Sequence, residues 1–203
     1  MMRYLIPAAG VEFSEEIKKS RFITYLQATE GLEQAKAFWQ QLKQQHPNAR
    51  HHCWATVAGR PNDSQQLGFS DDGEPSGTAG KPMLNILLGS GIGEISAVVV
   101  RYYGGIQLGT GGLVRAYGNG VQQALKLLNT IEKIERQVFA LSCDYGQINL
   151  VQQLLKLHQV EIIEQQFAQR IELQLGISAE QFAEFSRALN DRSGGSLRLL
   201  ALT

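Results

Sequence analysis

Apolar positions between Gly31 and His46 recur at helical spacing, at Leu32, Ala35, Phe38, Trp39 and Leu42. This predicts an amphipathic helix that Pro47 and Asn48 terminate. Two strands precede it, Val11 to Lys19 and Arg21 to Gln27, the second rich in β-formers (Phe22, Ile23, Thr24, Tyr25). Arg50 to Val57 returns as a strand. Gly59 to Gly77 reads as loop, with a short strand near Gln66 to Phe69. A helix follows through Met83, Leu84, Leu87 and Leu88, with Thr78 or its successors as cap and Gly89 and Gly91 as stop. Glu94 to Tyr103 is the strongest strand, and its unbroken apolar run predicts burial on both faces. A glycine-dense turn, Gly104 to Gly112, leads into a long helix carrying Leu113, Val114, Tyr117, Val121, Ala124, Leu125 and Leu128 on one side.

Asn129 to Gln137 shows no apolar period and reads as a linker. Beyond it the pattern becomes β-α-β-β-α-β. The strands are Val138 to Cys143, Val160 to Glu164, Ala168 to Gly176 and Ser196 to Leu202. The helices are Gln147 to His158 and Ala179 to Leu189, the latter capped by Ser178. Two split β-α-β units of this kind form a ferredoxin-like sandwich. The expected class is α+β with two domains, 1–135 and 136–203.

Composition adjusts this picture only slightly. Apolar residues make up 43% of the 203 and charged residues 19%, so both domains have material for a core. The formal net charge is zero, which argues against a general DNA binder and leaves room for a local basic patch. The two cysteines, Cys53 and Cys143, belong to no CxxC pair, so neither a disulfide framework nor a common zinc pattern is expected. The N-terminal apolar run is too short for a signal peptide, and no stretch reaches membrane-span length. A cytoplasmic protein without membrane attachment, metal or cofactor is the expectation; the oligomeric state stays open.

Several motifs nearly form. Gly80-Lys81 resembles the end of a phosphate loop, but Pro82 replaces the magnesium-binding hydroxyl and Pro75 the first glycine. Gly109-Thr110-Gly111-Gly112 begins like a dinucleotide fingerprint and fails at Val114. The stretch Arg101-Tyr102-Tyr103-Gly104-Gly105 through Gly109-Thr110-Gly111-Gly112 nevertheless runs from strand through glycines into a helix start. That order suits anion binding, with Arg101 and Arg115 supplying charge and one of the two tyrosines stacking on a base. The alternative is a tight connection whose glycines only satisfy turn geometry. In Arg50-His51-His52-Cys53, alternation sets His51 and Cys53 on one face and Arg50 and His52 on the other. Adjacent histidines so placed suit hydrogen-bonded, partly buried roles better than one shared metal. Asp71-Asp72-Gly73-Glu74 offers three carboxylates but lacks calcium-loop spacing, so a solvated acidic turn is expected. Lys18-Lys19-Ser20-Arg21 is a basic cluster at a strand junction; it suits phosphate contact, but a solvated turn is the expectation.

Arg50-His51-His52, Phe69-Ser70-Asp71-Asp72-Gly73-Glu74-Pro75, Thr78-Ala79-Gly80-Lys81-Pro82 and Arg101-Tyr102-Tyr103-Gly104-Gly105 with Leu108-Gly109 together resemble the signature blocks of the IMPACT family, in its bacterial, YigZ-like branch. The resemblance spans essentially the whole chain. It implies an N-terminal domain like the second domain of ribosomal protein S5 and a C-terminal domain like the ferredoxin-like domains of elongation factor G. It supplies no catalytic residues, and none is assigned. The role of eukaryotic relatives in translation initiation depends partly on a further N-terminal domain and is not carried over. The expectation is a non-enzymatic RNA- or ribosome-binding protein that modulates translation. The competing expectation is an enzyme acting on a phosphorylated small molecule or nucleotide, with His51, His52, Asp71, Asp72 and Glu74 in one cleft with the glycine-rich turn.

Overall fold

The computed structural model describes residues 3–202, which form a mixed α+β protein with two compact units, Tyr4–Lys133 and a second beginning at Ile134.

The first unit is built on a five-stranded sheet, order β2-β3-β6-β4-β5, from β2 (Val11–Ile17), β3 (Ser20–Ala28), β4 (His51–Val57), β5 (Leu67–Ser70) and β6 (Ile95–Tyr102). All neighbours are antiparallel. Helix α1 (Gly31–Gln45) covers one face, where Phe38 and Leu42 pack on Ile23, Val98 and Val100. Helices α2 (Gly80–Ser90) and α3 (Thr110–Leu127) cover the other, where Met83, Leu87, Tyr117 and Val121 meet Phe22, Cys53, Ala97 and Val99. Strand β6 lies at the centre, so both of its faces are buried and its apolar run has no need to alternate.

Three local readings are corrected. A strand, β1 (Arg3–Pro7), stands where no element was expected, and it pairs with β7 (Thr130–Ile134). The expected linker from Asn129 is thus largely strand; its pairing partner lies at the other end of the sequence, where periodicity within a window gives no signal. Of the expected caps of α2, Thr78 or a residue just after it, the N-cap is the successor Ala79, while the Thr78 hydroxyl donates to the Pro75 carbonyl. The closing strand expected over Ser196 to Leu202 is reduced to β11 (Leu200–Ala201).

The second unit follows β8 (Gln137–Cys143), α4 (Ile148–Leu157), β9 (Glu161–Phe167), β10 (Ile171–Ile177), α5 (Ala179–Arg192) and β11, with sheet order β11-β8-β10-β9. Leu173, Leu175 and Ile177 of β10 alternate inward against Val151, Leu154, Phe185 and Leu189 of the helices. Ser178 caps α5 in a reciprocal capping box with Gln181.

Candidate functional site

The loop from Asp71 to Ala79 is fastened by its own carboxylates. Asp71 accepts from the amides of Gly77 (2.8 Å), Ala79 (3.0 Å) and Gly80 (2.8 Å). Ala79, at the N-cap of α2, offers no side-chain acceptor, so Asp71 caps the helix from the preceding strand–loop junction. Asp72 accepts from the His52 amide at 2.7 Å. The chain turns at Asp72 and Gly73, both with positive φ (40° and 86°). The expected solvated acidic turn is therefore corrected: these carboxylates find backbone donors that no sequence spacing exposes.

Glu74 points inward, with its side chain 3% exposed. Its Oε1 accepts from Arg101 Nη1 at 2.6 Å and from the Tyr117 hydroxyl at 2.7 Å. Its Oε2 lies 3.8 Å from His51 Nε2. His51 Nδ1 donates to the Asp72 carbonyl at 2.8 Å, which places a proton on Nδ1 and turns Nε2 toward Glu74. Cys53 Sγ donates to the Asp71 carbonyl at 2.9 Å. Burial pushes the Cys53 thiol well above its ordinary range, so it is no ready nucleophile. Burial, helped by Cys53 and Glu74, pushes the Tyr117 hydroxyl up as well.

One buried cluster thus joins β4 (His51, Cys53), the loop (Asp71, Asp72, Glu74), β6 (Arg101) and α3 (Tyr117). Arg101 was expected to face an anion beside Arg115. It is instead 5% exposed, because its place on a strand buried on both faces leaves the guanidinium only an internal partner. His52, on the opposite face of β4, is also buried; its Nε2 donates to the His46 carbonyl at 3.0 Å. Both histidines are therefore hydrogen-bonded and at least partly buried. Among the described residues no group of three or more His, Cys, Asp or Glu side chains is placed to hold a metal ion.

The glycine-rich turn divides into two parts. Gly104 is packed: a Cβ there would overlap the Lys19 carbonyl, and its amide donates to the buried Ser20 Oγ at 3.2 Å. Gly109 (φ 74°) is the N-cap of α3 and brings no side chain to it, and the first turn contains no acidic residue. Leu113 N–H makes the first helical bond, to the Gly109 carbonyl at 3.0 Å. Thr110, Gly111 and Arg115 are exposed, and a Cβ on Gly111 would meet nothing. Of the two tyrosines, Tyr102 is half-buried and hydrogen-bonded to His46 Nδ1 at 2.9 Å, whereas Tyr103 is 49% exposed beside the open, positive-φ Gly105. Among the described residues no side-chain hydrogen bond or ion pair joins Arg115 or Gly109–Gly112 to the Glu74 cluster.

Tyr117, and Ser20 whose Oγ accepts from Arg101 Nη2 at 3.4 Å, had no forewarning as site residues. In sequence Tyr117 belongs to an apolar stripe, although a buried tyrosine hydroxyl must find a partner. Ser20 falls in what the sequence presents as a solvated turn, yet it is buried, and no local pattern marks it as such.

The arrangement can be set beside known proteins. The sequence pattern of the Impact N-terminal domain matches residues 18–125, and that of a domain of unknown function, DUF1949, matches residues 141–196. This chain belongs to the IMPACT family. It is 68% identical over 197 residues to an IMPACT family member of Haemophilus influenzae, covering 97% of this chain and 96% of that protein. It is 57% identical over 202 residues to the IMPACT family member YigZ of Escherichia coli, covering 100% and 99%. A solved structure described as the crystal structure of an hypothetical protein is similar with a TM-score of 0.78 at 57% identity, covering 100% of this chain and 98% of that one. Among the described residues no helix is long and apolar enough to cross a membrane.

Proposed function

We propose that this protein is a non-enzymatic RNA- or ribosome-binding protein that modulates translation, and that it contacts phosphate at the start of α3. The observation that carries this reading is the N-terminus of α3. An 18-residue helix begins at a glycine without a side-chain cap or an acid in its first turn, next to the exposed Arg115. Such an end concentrates free N–H donors and positive potential where a phosphate fits. The exposed Tyr103 offers a stacking face at the other end of the same loop.

The order of the second unit, β11-β8-β10-β9 in a β-α-β-β-α-β chain, is the order expected of a ferredoxin-like sandwich. With the proposed likeness of the first unit to the second domain of ribosomal protein S5, it supports a place in translation and a cytoplasmic location. The likeness is one of fold and bears on function only by analogy.

The enzyme alternative needs acid/base groups with free lone pairs or protons. Against it stands the use of Glu74, Asp71 and Asp72 in internal hydrogen bonds.

The test is association of the full chain with ribosomal subunits and structured RNA across a salt series. Binding that weakens with salt, and that Arg115→Ala weakens alike for different sequences, is expected. Absence of association even at low salt, with turnover of a phosphorylated metabolite that depends on His51, would overturn the reading.

A further inference from the structure

The Lys18-Lys19 tip of the β2–β3 hairpin is exposed, as its composition suggests, and its backbone is also fastened to the rest of the unit. Ile17 pairs with Ser20, so the two lysines alone form the loop. Both have positive φ, 47° and 65°. A two-residue loop of this kind ordinarily takes Asn-Gly or Gly-Gly, because side chains at both positions are strained. Lysines are held there nonetheless. The Lys19 carbonyl is packed against Gly104, and Ser20 Oγ accepts from the Gly104 amide and from Arg101 Nη2 (3.4 Å). The tip is thereby fixed to the glycine-rich turn.

The same end of the sheet carries the start of α3. Tyr117 packs on Phe22 with ring centroids 5.5 Å apart, and a Cβ on Gly120 would meet Thr24 Oγ1. Helix α3 therefore runs along β3 away from the hairpin tip, and its first turn lies at the tip's end of the strand. Arg101, Lys133, Arg136 and Arg170 have carboxylate partners at 3.2 Å or less. Lys18 and Lys19 form no ion pair among the described residues, and both are exposed. Glu15 is engaged by Asn119, and Glu16 stands opposite Arg21 in the strand register, below the tip.

We propose that the Lys18-Lys19 tip is a second phosphate-contacting element beside the α3 start, and that the ligand held between them is single-stranded RNA. This rests on the RNA-binding reading above and names its ligand class. Two ammonium groups, a helix start and Arg115 spread along one end of a sheet match a run of phosphates rather than one. The exposed face of Tyr103, between them in the chain, accepts only a base that is unstacked, which a duplex does not present.

The test uses the full chain and a fluorescent oligouridylate of about twelve nucleotides, within the usual span of a single-strand site. The informative variant is Lys18→Asn with Lys19→Gly. It installs the residues the turn favours and removes both charges, so it folds at least as stably as the parent. Its affinity is expected to fall at least about fivefold, and the slope of log K against log salt to shrink by about 1.4, the share of two phosphate contacts on a single strand. Tyr103→Ala is expected to weaken binding by about 5- to 150-fold. Equal affinity and slope for parent and double variant would overturn the hairpin proposal and leave the broader reading standing. Parent binding to duplex RNA with none to oligouridylate would do the same. A parent that binds no RNA of any kind removes both.

Discussion

Arg101 and Glu74 form an ion pair of 2.6 Å whose side chains are 6% and 3% exposed, the most deeply buried charge pair among the described residues. It joins the central strand to the loop before α2, and the Tyr117 hydroxyl completes the coordination of the same carboxylate oxygen. Taking both charges out of water is costly, and the pair holds only because each supplies what the other lost. Glu74→Ala is expected to destabilise the first unit by about 3–5 kcal/mol, since it leaves a buried, unpaired guanidinium. Urea unfolding with an unchanged m-value measures it. The double variant Arg101→Met, Glu74→Leu should lose less than either single one; a loss equal to the sum of the singles would mean that the two groups are not coupled.

Asp71→Ala removes the acceptor for three amides at the start of α2. Charge-assisted bonds of this kind support a loss of about 2–3 kcal/mol. Amide exchange should quicken first at Gly77, Ala79 and Gly80. Uniform quickening across the sheet would mean that Asp71 is no local fastener.

Much of the fold could be read along the chain, because each unit alternates or recurs where one face is buried. The helical stripe of α1 and the alternation of β10 are examples. The unbroken run of β6 also foretold its central place. What stayed hidden was set by partners far away in sequence. β1 and β7 lie more than a hundred positions apart, so neither window contains the reason for the strand. The site was half legible for the same cause. Alternation separated His51 from His52 correctly, since Cys53 shares the core face with His51. It did not show that Arg101 would turn inward, because the acid that receives it lies 27 positions earlier in a loop.

His46 bridges two tyrosines, with Nε2 2.9 Å from the Tyr25 hydroxyl and Nδ1 2.9 Å from that of Tyr102. Burial, with the neighbouring His52 and Arg21, lowers its pKa; Glu12 opposes this weakly. The folded state then binds fewer protons there than the unfolded chain does, so stability rises with pH across this titration. The contribution is complete above the ordinary histidine value of about 6.5 and is lost as pH falls below it. The midpoint of thermal unfolding should drop between about pH 7 and pH 5, and His46→Gln should flatten that drop. An unchanged slope in the variant would assign the pH dependence to other groups.

Gly104→Ala forces a methyl group into the Lys19 carbonyl. The hairpin and the glycine-rich turn cannot then pack as they do, and a loss of about 1–3 kcal/mol is expected. Gly111→Ala, in open space on the first turn of α3, should cost nothing and serves as the control. Thermal melts of the two variants side by side decide it, and equal midpoints would contradict the close packing at Gly104.

If phosphate is received at the start of α3, amide NMR of the full chain titrated with oligouridylate and, separately, with inorganic phosphate will locate it there. Saturable shifts are expected to concentrate at Thr110, Gly111, Gly112 and Leu113, where the helix lacks a side-chain cap. With the oligonucleotide, Lys18, Lys19 and Tyr103 should shift too. Shifts that spare residues 110–113 and gather instead at His51, Asp72 and Glu74 would contradict it, and would return the Glu74 cluster to consideration as the working site.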